Sequence, residues 1–127
     1  MTNSRAKGAR GERELASFLN DQGFPAKRGV QFSQGSHGLT APDVICPSLS
    51  AFHIECKRVE AGNLYNWHDQ AATDAKGKTP VVFHKKNGRK WMVILAAEDF
   101  TEILRNTDLV TSETHAEEDF EDFPRPY

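Results

Sequence analysis

Long apolar runs and cysteines are what this 127-residue sequence most clearly lacks. No segment approaches the roughly 18–20 consecutive apolar residues of a membrane-spanning helix, and no apolar stretch follows the polar, basic first residues as it would in a signal peptide. Two cysteines, Cys46 and Cys56, are too few for a disulfide framework, so we expect both to be reduced and packed in the interior. These absences favour a cytoplasmic domain.

Charge is distributed unevenly along the chain. The sequence has 16 bases and 18 acids, but residues 108–127 hold seven of the acids and one of the bases. Residues 1–107 therefore keep 15 bases and 11 acids. A basic body suits a polyanionic partner, although a solvated surface gives the same balance. The tail mixes acids with phenylalanines, so it could cover a basic groove, dock on a partner or simply aid solubility.

Hydrophobic periodicity and turn residues predict an α/β (α+β) domain with the order α-β-β-β-α-β-β-α. Leu15, Phe18 and Leu19 form a stripe at helical spacing, and Gly23 suits the helix end. Asn87-Gly88 is a strong hairpin signal. We expect residues 1–107 to form one domain with a central mixed sheet flanked by helices, and residues 108–127 to be a flexible acidic tail. The predicted helices are 8–22, 63–76 and 98–105, and the strands 43–46 and 51–57 could pair as a hairpin.

The segment FHIECK, residues 52–57, alternates apolar with polar side chains. Residues two apart share one face of a strand, so His53, Glu55 and Lys57 would line up together. If the strand beginning at Asp43 is a neighbour, the Asp43 and Glu55 carboxylates converge and require a cation. Oxygen ligands favour Mg²⁺ or Mn²⁺.

A lysine beside such a site points to phosphodiester hydrolysis. It can orient water, or offset negative charge on a phosphorane-like transition state. Taken singly, each residue also has an ordinary structural explanation. Glu55 and Lys57 could be a solvent-facing pair, and an aspartate after proline often begins a strand or caps a turn.

Pro42-Asp43, eleven residues and then Glu55-Cys56-Lys57 resemble the signature of the PD-(D/E)XK nuclease superfamily. The segment from Gly8 to Leu15, with Leu19 and Gly23-Phe24, resembles the opening helix of the archaeal-type Holliday-junction resolvases, a branch of that superfamily. The resemblance covers roughly residues 7–100 and implies a restriction-endonuclease-like core. The chain departs from that branch in its short basic N-terminal arm and its acidic tail.

The resemblance implies a metal site and a set of assisting residues. The implied ligands of Mg²⁺, with Mn²⁺ as a substitute, are Glu12, Asp43, Glu55 and the main-chain carbonyl of Cys56, with Glu14 as second choice to Glu12. The implied catalytic residues also include Lys57, which positions the attacking water, and Gln70, Ser33 and Ser36, which assist near the scissile phosphate.

The resemblance also implies a substrate and an assembly. We expect a Mg²⁺-dependent endonuclease acting on DNA, most simply a Holliday-junction resolvase that leaves 5′-phosphate and 3′-hydroxyl ends. Symmetric cutting of a four-way junction or other branched DNA implies a homodimer. A nicking, flap or restriction-type nuclease of the same fold is the alternative, and a non-catalytic DNA-binding module is an alternative of another class.

The basic residues are the expected DNA contacts. Those that flank the implied site are Arg5, Lys7, Arg10, Arg13, Lys27, Arg28 and Arg58. The basic turn at residues 85–90 could contact DNA or could be a solvated hairpin tip. No membrane partner is expected, because the sequence has no long apolar run. No nucleotide cofactor is expected either, because the P-loop-like Gly77-Lys78-Thr79 has Ala72 where that motif needs its first glycine.

Overall fold

The computed structural model describes residues 4–29 and 42–111, with side chains described from residue 7 onward. Ser33 and Ser36 therefore lie outside the described residues, as do the side chain of Arg5 and the acidic segment from residue 112 to the end. Contacts divide the chain into two compact units, residues 1–95 and 96–127. The implied site belongs entirely to the first unit.

The first helix, α1 (Ser4–Asp21), packs its apolar stripe into the core. Leu15 and Leu19 are buried there. The helix begins four residues before the predicted start, because a glycine in a helix interior, here Gly8, costs only about 1 kcal/mol relative to alanine. It ends at Asp21, one residue before the predicted end, and Gly23 just beyond it adopts a φ of +94°, a conformation that residues with a side chain rarely adopt.

Within residues 4–29 and 42–111, five strands form two small sheets. In the first sheet, β1 (Lys27–Arg28) and β2 (Val44–Ile45) are antiparallel. The second contains β3 (Phe52–Lys57), β4 (Thr79–His84) and β5 (Met92–Ile94), in that order. Strands β3 and β4 are parallel, whereas β4 and β5 form an antiparallel hairpin. The predicted mixed sheet and the predicted order of elements are both confirmed.

The expected hairpin between β2 and β3 is wrong. Strand β2 pairs with β1 instead, and a 3₁₀ turn at Pro47–Leu49 separates it from β3. The turn begins at a proline, which cannot continue a ladder because it lacks an N–H group. The start of β2 still reaches β3, since the Asp43 amide donates to the Ile54 carbonyl at 3.0 Å.

The core lies where α1 covers one face of β3. Leu15, Leu19, Val44, Cys46 and Ile54 form its buried cluster. Both cysteines are free, as expected, and burial raises the pKa of the Cys56 thiol to about 12. This packing holds the centre of β3 rigidly against the helix.

The opposite face of β3 is covered by the crossover helix α2 (Leu64–Ala75), which connects β3 with β4. Ala71 and Ala75 are the buried residues of α2, and their small side chains let the helix approach the sheet closely. As a result, His53 and Glu55 are buried rather than solvent-facing. The alternation in FHIECK therefore marks two different buried faces.

The second unit contains α3 (Ala97–Arg105), which begins one residue before the predicted start. Glu98 and Asp99 lie in its first turn and Arg105 in its last, so its charges complement the helix dipole. Among the helices of the described ranges, none combines the length and apolar character that crossing a bilayer requires.

Candidate active site

Asp43 is fixed to the free edge of β3 by two hydrogen bonds. Its amide donates to the Ile54 carbonyl at 3.0 Å, and its Oδ2 accepts from the Cys56 amide at 2.8 Å. The Ile54 carbonyl and the Cys56 amide lie on the edge of β3 that does not pair with β4, so they need hydrogen-bond partners from elsewhere. The contacts place the Asp43 carboxylate beside Glu55, as the sequence spacing implied.

The Asp43 and Glu55 carboxyl groups are electrostatically strained. Burial raises the pKa of Asp43 to about 7, and the Glu55 charge adds to the increase, while the Cys56 amide and Lys57 oppose it. The pKa of Glu55 is also raised, chiefly by burial. Because the two charges repel each other, one proton is retained by the pair near neutral pH when no cation is bound.

Glu55 has a second set of partners under α2. The Nε2 atom of His53 lies 3.0 Å from its Oε1 atom. One ligand atom from each of His53, Glu55 and Asp74 falls within 4.8 Å of the others. Burial lowers the pKa of His53, which favours a neutral imidazole that can donate or accept here. Glu55 therefore belongs both to the Asp43–Glu55 carboxyl pair and to the group of His53, Glu55 and Asp74.

Glu12 and Glu14 project from α1 toward different partners. Glu12 accepts from Arg28 Nε at 2.8 Å, and its pKa is raised by burial and by the Asp43 charge, although Arg28 opposes this. Glu14 lies 2.8 Å from Arg58 Nε. Its pKa is lowered because that hydrogen bond, with one from Lys85, outweighs its burial. Glu12 thus lies on the side of Asp43, whereas Glu14 is part of an ion-pair network.

The donor set suits a hard divalent cation. Asp43 and Glu55 supply buried carboxylate oxygens that repel each other, and a cation would take the place of their shared proton. Among the described residues, Glu12, Asp43 and Glu55 do not all lie within 4.8 Å of one another, whereas His53, Glu55 and Asp74 do. A cation held by Asp43 and Glu55 could draw on Glu12 only if the Glu12 side chain moved closer to them.

Lys57 lies at the end of β3, where a cleft of about 260 Å³ opens between α1 and the segment after β3. It is half-buried, and its charge lowers the pKa values of both Asp43 and Glu55. The lining residues of this cleft are Lys7, Gly8, Glu12, Cys56, Lys57, Arg58 and Val59. The cleft therefore presents three cationic side chains and Glu12 beside the end of β3, and its lining includes Cys56 and Lys57, which directly follow Glu55.

Comparison with protein families shows which family the chain belongs to. Residues 3–123 match the model of the family described as "Phage putative PDDEXK endonuclease". The chain belongs to this family. It is a PD-(D/E)XK endonuclease, as the signature at Asp43, Glu55 and Lys57 predicted.

Solved structures agree with the family match. The chain is similar to a structure titled as Archaeoglobus fulgidus Hjc, a Holliday junction resolvase from an archaeal hyperthermophile. The two share 26% sequence identity with a TM-score of 0.51, over 70% of this chain and 72% of the other. No curated protein sequence matches the chain. The resemblance to the resolvase branch and the restriction-endonuclease-like fold are thereby confirmed.

The implied DNA contacts of this endonuclease fall into two groups. Lys7 lies exposed in the cleft lining, and Arg10, Arg13 and Lys27 are also exposed. Apart from Arg5, whose side chain lies outside the described residues, the other two have protein partners. Arg28 pairs with Glu12, and Arg58 is held by Glu14, Glu60, Asn87 and the Lys85 carbonyl. Arg58 therefore fixes the position of neighbouring elements, which its place after the Glu-Cys-Lys signature did not predict.

Sequence reasoning missed Asp74 and left His53 without a role. Asp74 belongs to no motif, and the one available signal is its position four residues after Gln70, which places both on one face of α2. Gln70 itself is exposed. His53 had a signal in its shared face with Glu55, and the structure shows the contact between them directly.

Proposed function

We propose that this endonuclease is a divalent-metal-dependent DNA endonuclease that resolves four-way junctions. The observation that carries the proposal is the buried Asp43–Glu55 pair with Lys57 beside it, since Lys57 also lines the neighbouring cleft together with Lys7 and Arg58. Two carboxylates that repel each other at neutral pH are costly unless they serve a ligand. DNA supplies phosphates to the cleft, and Mg²⁺ or Mn²⁺ satisfies the carboxylates.

Each residue has a distinct task in this proposal. Asp43, Glu55 and the Cys56 carbonyl bind the metal, and Glu12 completes or tunes the site. The bound metal would polarise the scissile phosphate and offset its developing charge. Lys57 positions the water that attacks the phosphorus in line, leaving 5′-phosphate and 3′-hydroxyl ends. By the family resemblance, Gln70, Ser33 and Ser36 assist near that phosphate.

The proposed active form is a homodimer. A junction resolvase cuts two strands related by a two-fold axis, and a symmetric dimer supplies two sites in the required relation. The similarity to a Holliday junction resolvase supports junction resolution over the activity of a nicking, flap or restriction-type nuclease. Within each protomer, residues 1–107 would act as the nuclease domain and residues 108–127 as an acidic appendage.

A cleavage assay with matched substrates tests the proposal. Labelled four-way junction, linear duplex, flap and single-stranded DNA of shared sequence are incubated with Mg²⁺, Mn²⁺ or EDTA. We expect paired symmetric cuts confined to the junction in either metal and none in EDTA. Preferential cutting of another substrate would retain the metal site but reject the resolvase assignment. Junction binding without cutting in any metal would favour the non-catalytic module.

A further inference from the structure

The connection between β4 and β5 forms a second cleft, of about 190 Å³, whose lining is strongly basic. Four of its six lining residues carry a lysine or arginine side chain, and none of the six is acidic. The lining residues are His84, Lys85, Lys86, Arg89, Lys90 and Met92. A concave surface of this composition suits an anion.

A tight turn brings two of these cations together. The Arg89 amide donates to the Lys86 carbonyl at 3.1 Å, which closes a four-residue turn. Gly88 occupies its third position with a φ of +74°, where a side chain would be strained. Because the ends of such a turn lie within about 7 Å of each other, Lys86 and Arg89 are held as neighbours.

The turn is also fixed to the end of the catalytic strand. Arg58 donates to the Lys85 carbonyl at 3.4 Å and to Asn87 Oδ1 at 3.1 Å. The Asn87 amide donates to Glu60 Oε2 at 2.8 Å. In addition, the Lys85 amide donates to the carbonyl of Lys57 at 3.1 Å. The basic turn is therefore held directly beside the strand end that presents Lys57.

The charges of this turn are unequally compensated. The Lys85 ammonium lies 3.2 Å from Glu14 Oε2. Within residues 7–29 and 42–111, no carboxylate lies within 4.0 Å of the charged groups of Lys86, Arg89 or Lys90. Three like charges on one turn repel one another, and a bound anion would relieve that repulsion.

We propose that this cleft at the β4–β5 turn, the hairpin cleft, binds a backbone phosphate of the DNA substrate other than the scissile phosphate. This inference rests on the proposed function, since it identifies a second contact for the same substrate. His84, which pairs in register with Lys57, borders the cleft, and paired residues on neighbouring strands are about 5 Å apart. Phosphates follow one another at about 3.4 Å of rise along each strand, so this phosphate lies within a few nucleotides of the scissile one.

The cleft reads the DNA backbone and not the base sequence. The one ring among its lining residues is His84, and that ring already packs on Trp67, with 4.8 Å between their centres. Its Nε2 atom lies 2.9 Å from the Val59 carbonyl oxygen. The remaining lining side chains offer charge and one exposed thioether, Met92, but no ring on which a base could stack.

A pair of double variants tests the inference. In Lys86→Gln/Lys90→Gln the cleft loses two charges, and in the control Lys76→Gln/Lys78→Gln two exposed charges are removed just before β4, at its opposite end. The affinity of each full-length variant for labelled junction is measured by anisotropy in EDTA across a salt series. We expect about tenfold weaker binding for the first variant and a log–log salt slope smaller by about one.

Cleavage kinetics locate the contact relative to the chemistry. In Mg²⁺, the cleft variant should show a raised KM with kcat within about twofold of wild type, because the contact is made before and during the reaction alike. The control variant should bind and cut like wild type. Thermal melting of both variants verifies that they are folded.

Each result bears on the inference separately from the proposed function. The hairpin contact would be overturned if the cleft variant bound DNA with the affinity and salt slope of wild type, or if the control variant lost as much affinity. Cutting by the wild-type protein would still support the proposed function in that case. Binding without cutting by wild type would reject the function, and the affinity comparison would still decide the contact. Saturable binding of inorganic phosphate that the cleft mutations abolish, without a change in DNA affinity, would assign the cleft to a free anion and overturn the proposal. A wild-type protein that neither binds nor cuts DNA would overturn both.

Discussion

Glu55 and Arg58 lie at the two ends of one short segment, and their charged side chains have opposite electrostatic surroundings. At Glu55 the carboxyl groups face one another, and the pKa values of Asp43 and Glu55 are raised. At Arg58 a cation lies among carboxylates and carbonyls, and the pKa of Glu14 is lowered. The first arrangement stores repulsion that a cation can relieve, whereas the second stabilises the fold. Glu55 of the proposed catalytic pair is thus close in sequence to Arg58 of the ion-pair network, but the charges repel in the first and attract in the second.

The largest expected effect is on the catalytic side of this comparison. Asp43→Asn removes a metal-binding charge but keeps an oxygen that can accept from the Cys56 amide. We expect cleavage to fall about 1,000-fold, since metal stabilisation of the transition state contributes several kcal/mol. The measurement is single-turnover cleavage in Mg²⁺, with Asp69→Asn on the exposed side of α2 as the control. Unchanged cleavage would remove Asp43 from the mechanism.

The same substitution should have the opposite effect on stability. Because the folded-state pKa of Asp43 is raised from 3.8 to about 7, the unfolded chain ionises first and the folded protein loses stability as pH rises through this range. In EDTA at pH 8, Asp43→Asn should therefore be more stable than wild type, by about 4 kcal/mol at most. Denaturant unfolding at pH 8 and pH 4 measures this.

At pH 4 the stability advantage of Asp43→Asn should largely vanish, since the wild-type carboxyl is then protonated in the folded state and ionises only in part on unfolding. A variant less stable than wild type at pH 8 would show that the pair is not strained.

The next effect is expected on the structural side. Arg58→Ala should lower the free energy of unfolding by about 2 kcal/mol, because it removes a mostly buried guanidinium that joins Glu14, Asn87 and the Lys85 carbonyl. Arg105→Ala, which breaks an exposed pair with Glu102, should cost at most about 0.5 kcal/mol. Denaturant unfolding compares the two variants. Equal losses would mean that the Arg58 network is an ordinary surface feature.

The smallest expected effect separates Asp74 from the metal ligands. If Asp74 orients Glu55 and His53 without binding the cation, Asp74→Asn should slow cleavage about tenfold, the usual size for an outer partner of a metal ligand. Asp69→Asn on the same helix provides the control. A loss as large as that of Asp43→Asn would move the cation to the group formed by His53, Glu55 and Asp74.

Local signals predicted much of this molecule from its sequence. The stripe of Leu15 and Leu19 gave α1, Asn87-Gly88 gave the β4–β5 hairpin, and the Pro42-Asp43 signature with Glu55 gave the acidic pair. Each of these depends on short-range periodicity, turn chemistry or a fixed spacing.

The remaining features depend on tertiary packing. The pairing of β2 with β1 instead of β3 requires knowing which edge is free, and Asp74 reaches Glu55 only because α2 crosses over β3. The contacts of Arg58 join α1, β3 and the β4–β5 turn, so no local pattern reports them.

Proton release on metal binding tests the central claim most directly. Titration calorimetry of the full-length protein with Mn²⁺ near pH 6.5, in two buffers of different ionisation enthalpy, counts the protons displaced per cation. A cation that replaces the proton shared by Asp43 and Glu55 should release about one proton, and Asp43→Asn should bind more weakly and release fewer. Binding without proton release, or equal binding and release by the variant, would contradict the claim that this carboxyl pair is the metal site.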